Sequence, residues 1–389
     1  MSVRILRQCA VVLGLGFAGL PRRKWSSLAI IVSMACVIGV LLSMLSFTTG
    51  MLRAYRAGGD PRLALVLSPQ NRTEYGNGIA ANAVGTILDA PGIAAGPDGH
   101  PLGDAEVLLW IPPMPSLRFS GSPELRGIGA AGLALRPNFR IVAGRMFRFG
   151  RQELIVGVGA ARAYHLHIGG GIALPDGEWP IVGIFTDDGS ILEGQLVGDA
   201  ITVVSAGHTS GFGSVLVRLA RPDAFSAFSH WLATNPALEV TAERRSHYAA
   251  RTVNLYSAFF TEVAYLIGVI MALGALFATV KLTYAAVSSR TQEIATLRAI
   301  GYQPLPVAVA VLLETAILSL VAAILGGAAA WLLFDGRLVA DLHSVFDLSV
   351  SMRLFMVGIA WALTLAILGG LPPAIRAARL SVAQAHRVA

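Results

Sequence analysis

The sequence predicts an α-helical membrane protein with four transmembrane helices plus a mixed α/β domain inserted between the first and second. Three observations predict it. Apolar runs long enough to cross a bilayer occur once near the start, at 26–48, and then three times in quick succession, near 257–281, 306–334 and 354–371. Spanning the hydrocarbon core takes roughly 20 apolar residues, and SSLAIIVSMACVIGVLLSMLSFT reaches that length without a charge. Composition agrees: 54% of residues are hydrophobic and 14% charged, with a mean hydropathy of +0.64, whereas soluble domains carry about 25% charged residues. The third observation is the placement of charge. Arg4, Arg7, Arg22, Arg23 and Lys24 precede the first run, Lys281, Arg290 and Arg298 lie between the second and third, and Arg376, Arg379 and Arg387 follow the fourth.

Basic short loops mark the cytoplasmic face. Both termini and the 282–305 loop are therefore expected inside, and the 50–255 insert and the 335–353 loop outside. The net charge of +7 belongs to helix ends, which points to membrane lipid as its partner and not to nucleic acid. Taken in order, residues 1–25 read as a cytoplasmic or interfacial segment, with an amphipathic helix over 3–19 rather than a cleaved signal peptide. The first span is 26–49, the second 256–281, the third 306–334 and the fourth 354–374, with a cytoplasmic tail at 375–389. Cys9 and Cys36 are the only cysteines, so the insert depends on an ordinary hydrophobic core.

Within the insert, LALVLSP at 63–69 reads as a strand ended by Pro69. Residues 76–87 read as a helix whose start is weakened by glycine, and 89–138, rich in Gly and Pro, as a smaller loop-rich subdomain. From 139 onward FRIVAGRMF, ELIVGVG, HIGGGIAL, WPIVGIF, AITVVSA and SVLVRLA read as short strands, with AARAYHL helical between them. Pro222 opens a helix over 222–234, and LEVTA at 238–242 closes the domain as a last strand.

Few residues point to chemistry. His165 and His167 would share one face of a strand, but no third ligand stands nearby at a recognisable spacing and zinc needs three or four. Asp187, Asp188 and Gly189 form a turn signal without the further carboxylates of a calcium loop. Asn71-Arg72-Thr73 fits a glycosylation acceptor and carries little weight. No phosphate-cradling glycine loop with its lysine, no nucleophile elbow and no HExxH motif occurs. The chain is read as having no catalytic activity, no bound cofactor and no metal.

The 282–305 loop is the most informative stretch. Ile294, Leu297 and Gly301 fall at i, i+3 and i+7, so a short helix there would carry an apolar stripe ending at a glycine cap. Arg290 and Glu293, one turn apart, would pair. Such a helix, held between two spans, suits insertion into a partner's groove. Glu314 lies inside the third span, where an acid is costly and reads as functional, linking that span to the short helix. Glu262, nearer the outer boundary, reads as structural. Gly326, Gly327, Ala328 and Ala330 read as a helix-packing patch.

These residues also carry a resemblance. SSRTQEIATLRAIGYQPLPVAVAVLLETAILSLVAAILGGAAAW resembles the C-terminal signature of FtsX/MacB-type (DevC-like, lipoprotein-release-like) ABC transporter permeases. Glu293, Ile294, Leu297, Arg298, Ala299, Ile300 and Gly301 match its E-I-x-x-L-R-A-[IL]-G core. Glu314 matches the family's glutamate near the start of the third span, and Gly326 and Gly327 its glycine-rich stretch. LPRRKWSSLAIIVSMACVIGV is similar to the family's basic approach to the first span. GRMFRFGRQELIVGVGAARAYHLHIGGGIALPDGEWPIVGIF resembles the membrane-proximal half of its periplasmic domain. Residues 70–138 match nothing in the family pattern.

The resemblance implies a multi-pass protein of the bacterial inner membrane, working as a homo- or heterodimer of permease subunits. It implies that Arg290, Glu293, Ile294, Leu297, Arg298 and Gly301 form a coupling helix for a separate cytoplasmic ABC ATPase, which binds the ATP, and that a periplasmic adaptor takes part. Adaptor-linked efflux is the favoured role and lipoprotein release the alternative. A membrane sensor with a periplasmic ligand domain is the rival from another class, and the short tail after the fourth span disfavours it.

Overall fold

The computed structural model describes residue 14 and residues 24–57, 59–70, 72–111, 123–340 and 345–379. The expected interfacial helix over 3–19, Cys9, Asn71 and most of the 375–389 tail lie outside these residues. The chain divides into two compact units. A helical unit holds 1–48, 258–335 and 349–389, and an α/β unit holds 49–257 and 336–348.

Helix α1 spans Lys24–Arg56, α7 Arg245–Ser288, α8 Thr291–Ala299, α9 Pro304–Phe334 and α10 Met352–Arg379. Four of these are long and apolar enough to cross a membrane, through Ser27–Arg56, Thr261–Ser288, Pro304–Phe334 and Met352–Arg379. At 1.5 Å per residue, α7 with its 44 residues is about 66 Å long, far beyond the roughly 30 Å hydrocarbon core. The loop expected from 282 thus begins only after Ser288, because the alanines and aliphatics of LTYAAVS sustain the helix without a breaker. Pro304 opens α9 at a position where its missing N–H costs nothing. The small-residue patch serves close packing. A Cβ on Gly326 would lie 2.4 Å from the Ala35 carbonyl oxygen of α1, and one on Gly327 would lie 2.3 Å from the Phe355 ring of α10. Ile38, Leu41, Leu42, Ala323 and Ala362 pack in the bundle core.

The α/β unit is built on a mixed sheet. Its strands are β1 (Leu63–Leu67), β2 (Ile79–Ala80), β3 (Gly103–Trp110), β4 (Glu124–Ile128), β5 (Arg140–Gly144), β6 (Leu154–Gly157), β7 (Gly171–Leu174), β8 (Gly177–Thr186), β9 (Leu196–Asp199), β10 (Gly211–Phe212), β11 (Ser214–Arg218) and β12 (Thr241–Arg244). The main sheet runs β12-β1-β11-β3-β4-β9-β6-β8-β5, with β7 paired to β8 and β2 paired separately to β10. Pairing is antiparallel except at β4/β9 and β6/β8. Short helices α2 (Ala81–Leu88), α3 (Ala130–Ala134), α4 (Val158–Tyr164), α5 (Ala200–Ala206) and α6 (Phe225–Thr234) connect the strands. One core gathers Val107, Leu125, Val156, Tyr164 and Trp179, and another gathers Val66, Ile87, Val215 and Phe228.

Six expectations need correction here. Residues 89–138 are no loop-rich satellite, since their described part supplies β3 and β4 at the centre of the sheet. Asp104, Glu106, Glu124 and Arg126 break the apolar alternation, and each is buried with a partner: Arg126 with Glu106, Asp104 with the Gly129 N–H, and Glu124 with Tyr75 and Gln195. AITVVSA is helix α5, not a strand. Asp199 caps it by accepting the Thr202 N–H at 3.2 Å, and a short apolar run does not distinguish the two conformations by itself. The helix expected over 76–87 is strand β2 followed by α2, and the last strand occupies Thr241–Arg244, not 238–242. His165 and His167 share no strand face, because His165 ends α4 in the left-handed region at φ 54°. Lastly, 335–353 is not a free loop. It holds a hairpin of β13 (Leu338–Ala340) and β14 (Val345–Asp347), whose Val345 is 2% exposed in the Trp179 core.

Candidate functional site

The segment joining α7 to α9 forms the short helix that the sequence stretch implies, with a reversal of its apolar stripe and a change of ion-pair partner. After α7 ends, Ser289 and Arg290 turn the chain and α8 follows. Its end is a Schellman motif: Gly301 sits at φ +96°, its N–H donates to the Arg298 carbonyl, and the Tyr302 N–H donates to the Leu297 carbonyl. Gly301 is the cap that its position in the motif predicts, since a side chain would be strained at that φ.

The reversal concerns the apolar stripe. Ile294 is 6% exposed and packs against Val287 of α7, Val307 of α9 and Ala377 of α10. Leu297 is half-buried. The face offered outward carries Gln292, Glu293 and Thr296, with Ile300 at 69% exposure just beyond it. Ile294 therefore fastens α8 to its own bundle and is not available to enter a groove. The expected Arg290–Glu293 pair is also replaced. Arg290 occupies the N-cap of α8, outside the helical spacing that would bring i and i+3 together. Its guanidinium reaches Glu314 of α9 at 3.2 Å, with both side chains about one-sixth exposed. Glu314 thus links the third span to the α7–α8 turn. Arg298 is half-buried near the end of α8, and Glu262 is exposed on α7.

Sequence reasoning missed a second polar centre, in the α/β unit. Glu106 on β3 accepts from Arg126 of β4 and from Arg136, each at 2.7 Å. Arg126 also donates to Glu74 at 3.0 Å and to the Gln195 side-chain oxygen at 2.8 Å. Gln195 in turn donates to Glu124 at 2.6 Å, and the Tyr75 hydroxyl donates to the same carboxylate. Burial alone would raise the Glu106 carboxyl, but the two guanidiniums outweigh it and hold it down at about 2. Asp104, buried on β3 and repelled by Glu106, is pushed up to about 7 despite the Gly129 N–H it accepts. Burial raises Glu124 against the pull of its Tyr75 and Gln195 hydrogen bonds. A cavity of about 70 Å3 opens beside Glu74, Tyr75, Glu124, Arg126 and Tyr248. The available signal was the i, i+2 spacing of 104 with 106 and of 124 with 126, which places each pair on one face of its strand.

Residues 265–382 match the profile of the family described as FtsX-like permease C-terminal. No curated protein matches the chain. Among solved structures, the extracellular domain of the noncanonic ABC-type transporter YknZ from Gram-positive bacteria is similar at 11% identity. That match covers 50% of this chain and 95% of the YknZ domain, with a TM-score of 0.33. The family match takes in most of the apolar part of α7, all of α8 and α9, and α10, and hence both partners of the Arg290–Glu314 pair.

Proposed function

With an FtsX/MacB-type permease as premise, we propose that the chain is the transmembrane subunit of an ABC-type export or mechanotransmission complex. A separate cytoplasmic ATPase binds and hydrolyses the ATP, and this subunit, paired with a second permease subunit, converts its closure into movement of the periplasmic unit. Adaptor-linked efflux is the role proposed for that movement, in the inner membrane with both termini cytoplasmic.

The observation that carries the reading is the anchoring of α8. Ile294 ties it to α7, α9 and α10, and Arg290–Glu314 adds a charged link to α9. A force applied to the exposed side of α8 is therefore delivered to the spans, not lost in a flexible loop. The far ends of α9 and α10 are joined by residues 336–348, which belong to the α/β unit, and α7 is unbroken from Arg245 to Ser288. The chain thus offers covalent routes from α8 to the external unit.

The experiment places charges on the outward side of α8 without touching its buried side. Glu293→Arg and Ile300→Asp, at exposed positions, should leave membrane abundance unchanged. They should lower co-purification of the ATPase subunit and abolish the permease-dependent part of its ATP hydrolysis. Full recovery of ATPase and activity with both variants would sink the docking role. The isolated chain should hydrolyse no ATP, and hydrolysis that survives stringent purification would contradict the proposed division of labour. Orientation is checked with single cysteines in a chain whose Cys9 and Cys36 are replaced by Ala: Arg151→Cys, on an exposed turn of the α/β unit, should label in intact spheroplasts, and Ser289→Cys only after lysis.

A further inference from the structure

Helices α1, α7 and α9 enclose a cavity of about 50 Å3 at the Arg290 end of the helical unit. Ile30, Val287, Val311 and Leu318 give it an aliphatic wall, and Arg290 and Glu314 stand on its rim. Thr283 lines the same space at 5% exposure, and its hydroxyl has no hydrogen-bond partner. A buried helix threonine ordinarily returns its proton to a carbonyl one turn back, so this orphan asks for an acceptor inside the cavity. The space exceeds the 10–15 Å3 or so that one water requires, and besides Thr283 its lining carries the polar groups of Ser27, Arg290, Glu314 and Thr315.

Position and charge narrow the occupant. Ser27 of α1 is part of the lining, and one turn earlier Lys24 lies 5.8 Å over the ring of Trp25, which is 74% exposed. A lysine beside an exposed tryptophan at a helix end is the composition of a membrane interface. At the same end Arg376 of α10 stands 5.6 Å over the ring of Tyr284, the neighbour of Thr283. Basic pockets between spans take anionic lipid headgroups. The Arg290 guanidinium stands at the turn that ends α7, and the unpartnered Thr283 hydroxyl lies further in along that helix, beside aliphatic side chains. That is the order of phosphate, ester and acyl chain in a glycerophospholipid.

We infer that this cavity is a binding site for one anionic glycerophospholipid. Arg290 takes the phosphate in exchange with Glu314, the Thr283 hydroxyl donates to an ester carbonyl, and the first methylenes of an acyl chain lie on Ile30, Val311 and Leu318. The inference goes beyond the ABC reading and requires only that the helical unit sits in a bilayer.

The test equilibrates the purified full chain in nanodiscs holding equal amounts of phosphatidylglycerol and phosphatidylcholine. It then re-extracts the protein in mild detergent and counts retained lipid by native mass spectrometry. The native chain should keep one phosphatidylglycerol in preference to phosphatidylcholine. Arg290→Gln/Glu314→Gln, neutral at both positions, should lower that retention about tenfold. Thr283→Val, nearly isosteric, should lower it about threefold while raising the thermal midpoint in lipid-free detergent. A Thr283 of purely structural role would shift the midpoint and leave retention unchanged, and that result overturns the assignment. Equal retention of the two lipids by the native chain, or native retention by the double variant, overturns it as well.

Discussion

In the α/β unit Glu106 meets two guanidiniums at 2.7 Å, and Arg126 is shared among Glu106, Glu74 and Gln195. In the helical unit the hydroxyls of Thr279, Thr283 and Ser319 are buried without partners, and Arg290–Glu314 is an ion pair on a cavity rim. Both regions bury polar groups, with different consequences. The strand network has its hydrogen bonds closed, so it specifies how β3 and β4 sit in the sheet. The three helix hydroxyls are left without hydrogen bonds, and such polar groups in an apolar bundle are available to a ligand or to a rearrangement. Satisfaction is what separates a polar group that holds a fold from one poised to exchange partners.

The largest effect that would break this comparison lies in the strand network. Arg126→Met leaves Glu74, Glu106 and Gln195 facing an apolar side chain, and breaking a buried pair costs about 3–5 kcal/mol. Denaturant titration of the full chain in detergent, read by proteolysis within the α/β unit, should register a loss of that size. A loss below about 1 kcal/mol would place the network with exposed ion pairs.

Next comes the close approach of α1 and α9. Gly326→Leu must displace the Ala35 backbone, and overpacking of this kind costs about 1–3 kcal/mol or more. The thermal midpoint of the full chain should fall clearly, and an unchanged midpoint would mean that the two helices are free to separate.

A pH titration sharpens the comparison within the network. The Asp104 carboxyl lies at about 7, above its ordinary 3.8, so between those values the native state holds a proton that the unfolded chain has released. Its contribution is complete below about 3.8 and is lost as pH rises through 7. Asp104→Asn keeps an acceptor for the Gly129 N–H and should flatten the stability profile across that window. Glu106, held at about 2, has the opposite sign: its contribution is present above its ordinary 4.5 and fades as pH falls through 2. An Asp104→Asn profile that still declines between pH 4 and 7 would show that the responsible proton is not on Asp104.

The smallest effect is a control in the helical unit. Gly274 on α7 is exposed, with nothing within 4 Å of its missing Cβ. Gly274→Ala should be neutral or stabilise by up to about 1 kcal/mol. A destabilisation measured by the same thermal assay would reveal a contact that this helix makes only in its assembled state.

Much of the helical unit was legible from residues alone. Unbroken apolar runs located four long helices, and Gly301 located the end of α8, because each depends on neighbours within a few turns. The candidate site was only half legible. The residues of the α8 segment stood out, but the buried side of Ile294 and the partner of Arg290 did not. Reading Arg290 with Glu293 assumed that both lie within one helix, and the chain turns at Arg290 instead. In the α/β unit, β3 and β4 escaped notice because isolated charges in a strand pattern read as loop. Their compensation comes from residues 20 and 30 positions away.

What the sequence determined by itself was therefore the number and place of the long apolar helices, the glycine cap at Gly301, and the side of the helices on which basic residues gather. All of these depend on short-range periodicity and local backbone preference. Only the tertiary structure decided which charges neutralise one another, that α8 turns Ile294 into its own bundle, and that 336–348 joins the α/β core. A buried charge, a cavity or a shared core is set by groups that meet across long stretches of chain, and the free energy of such a meeting is not written in either segment alone.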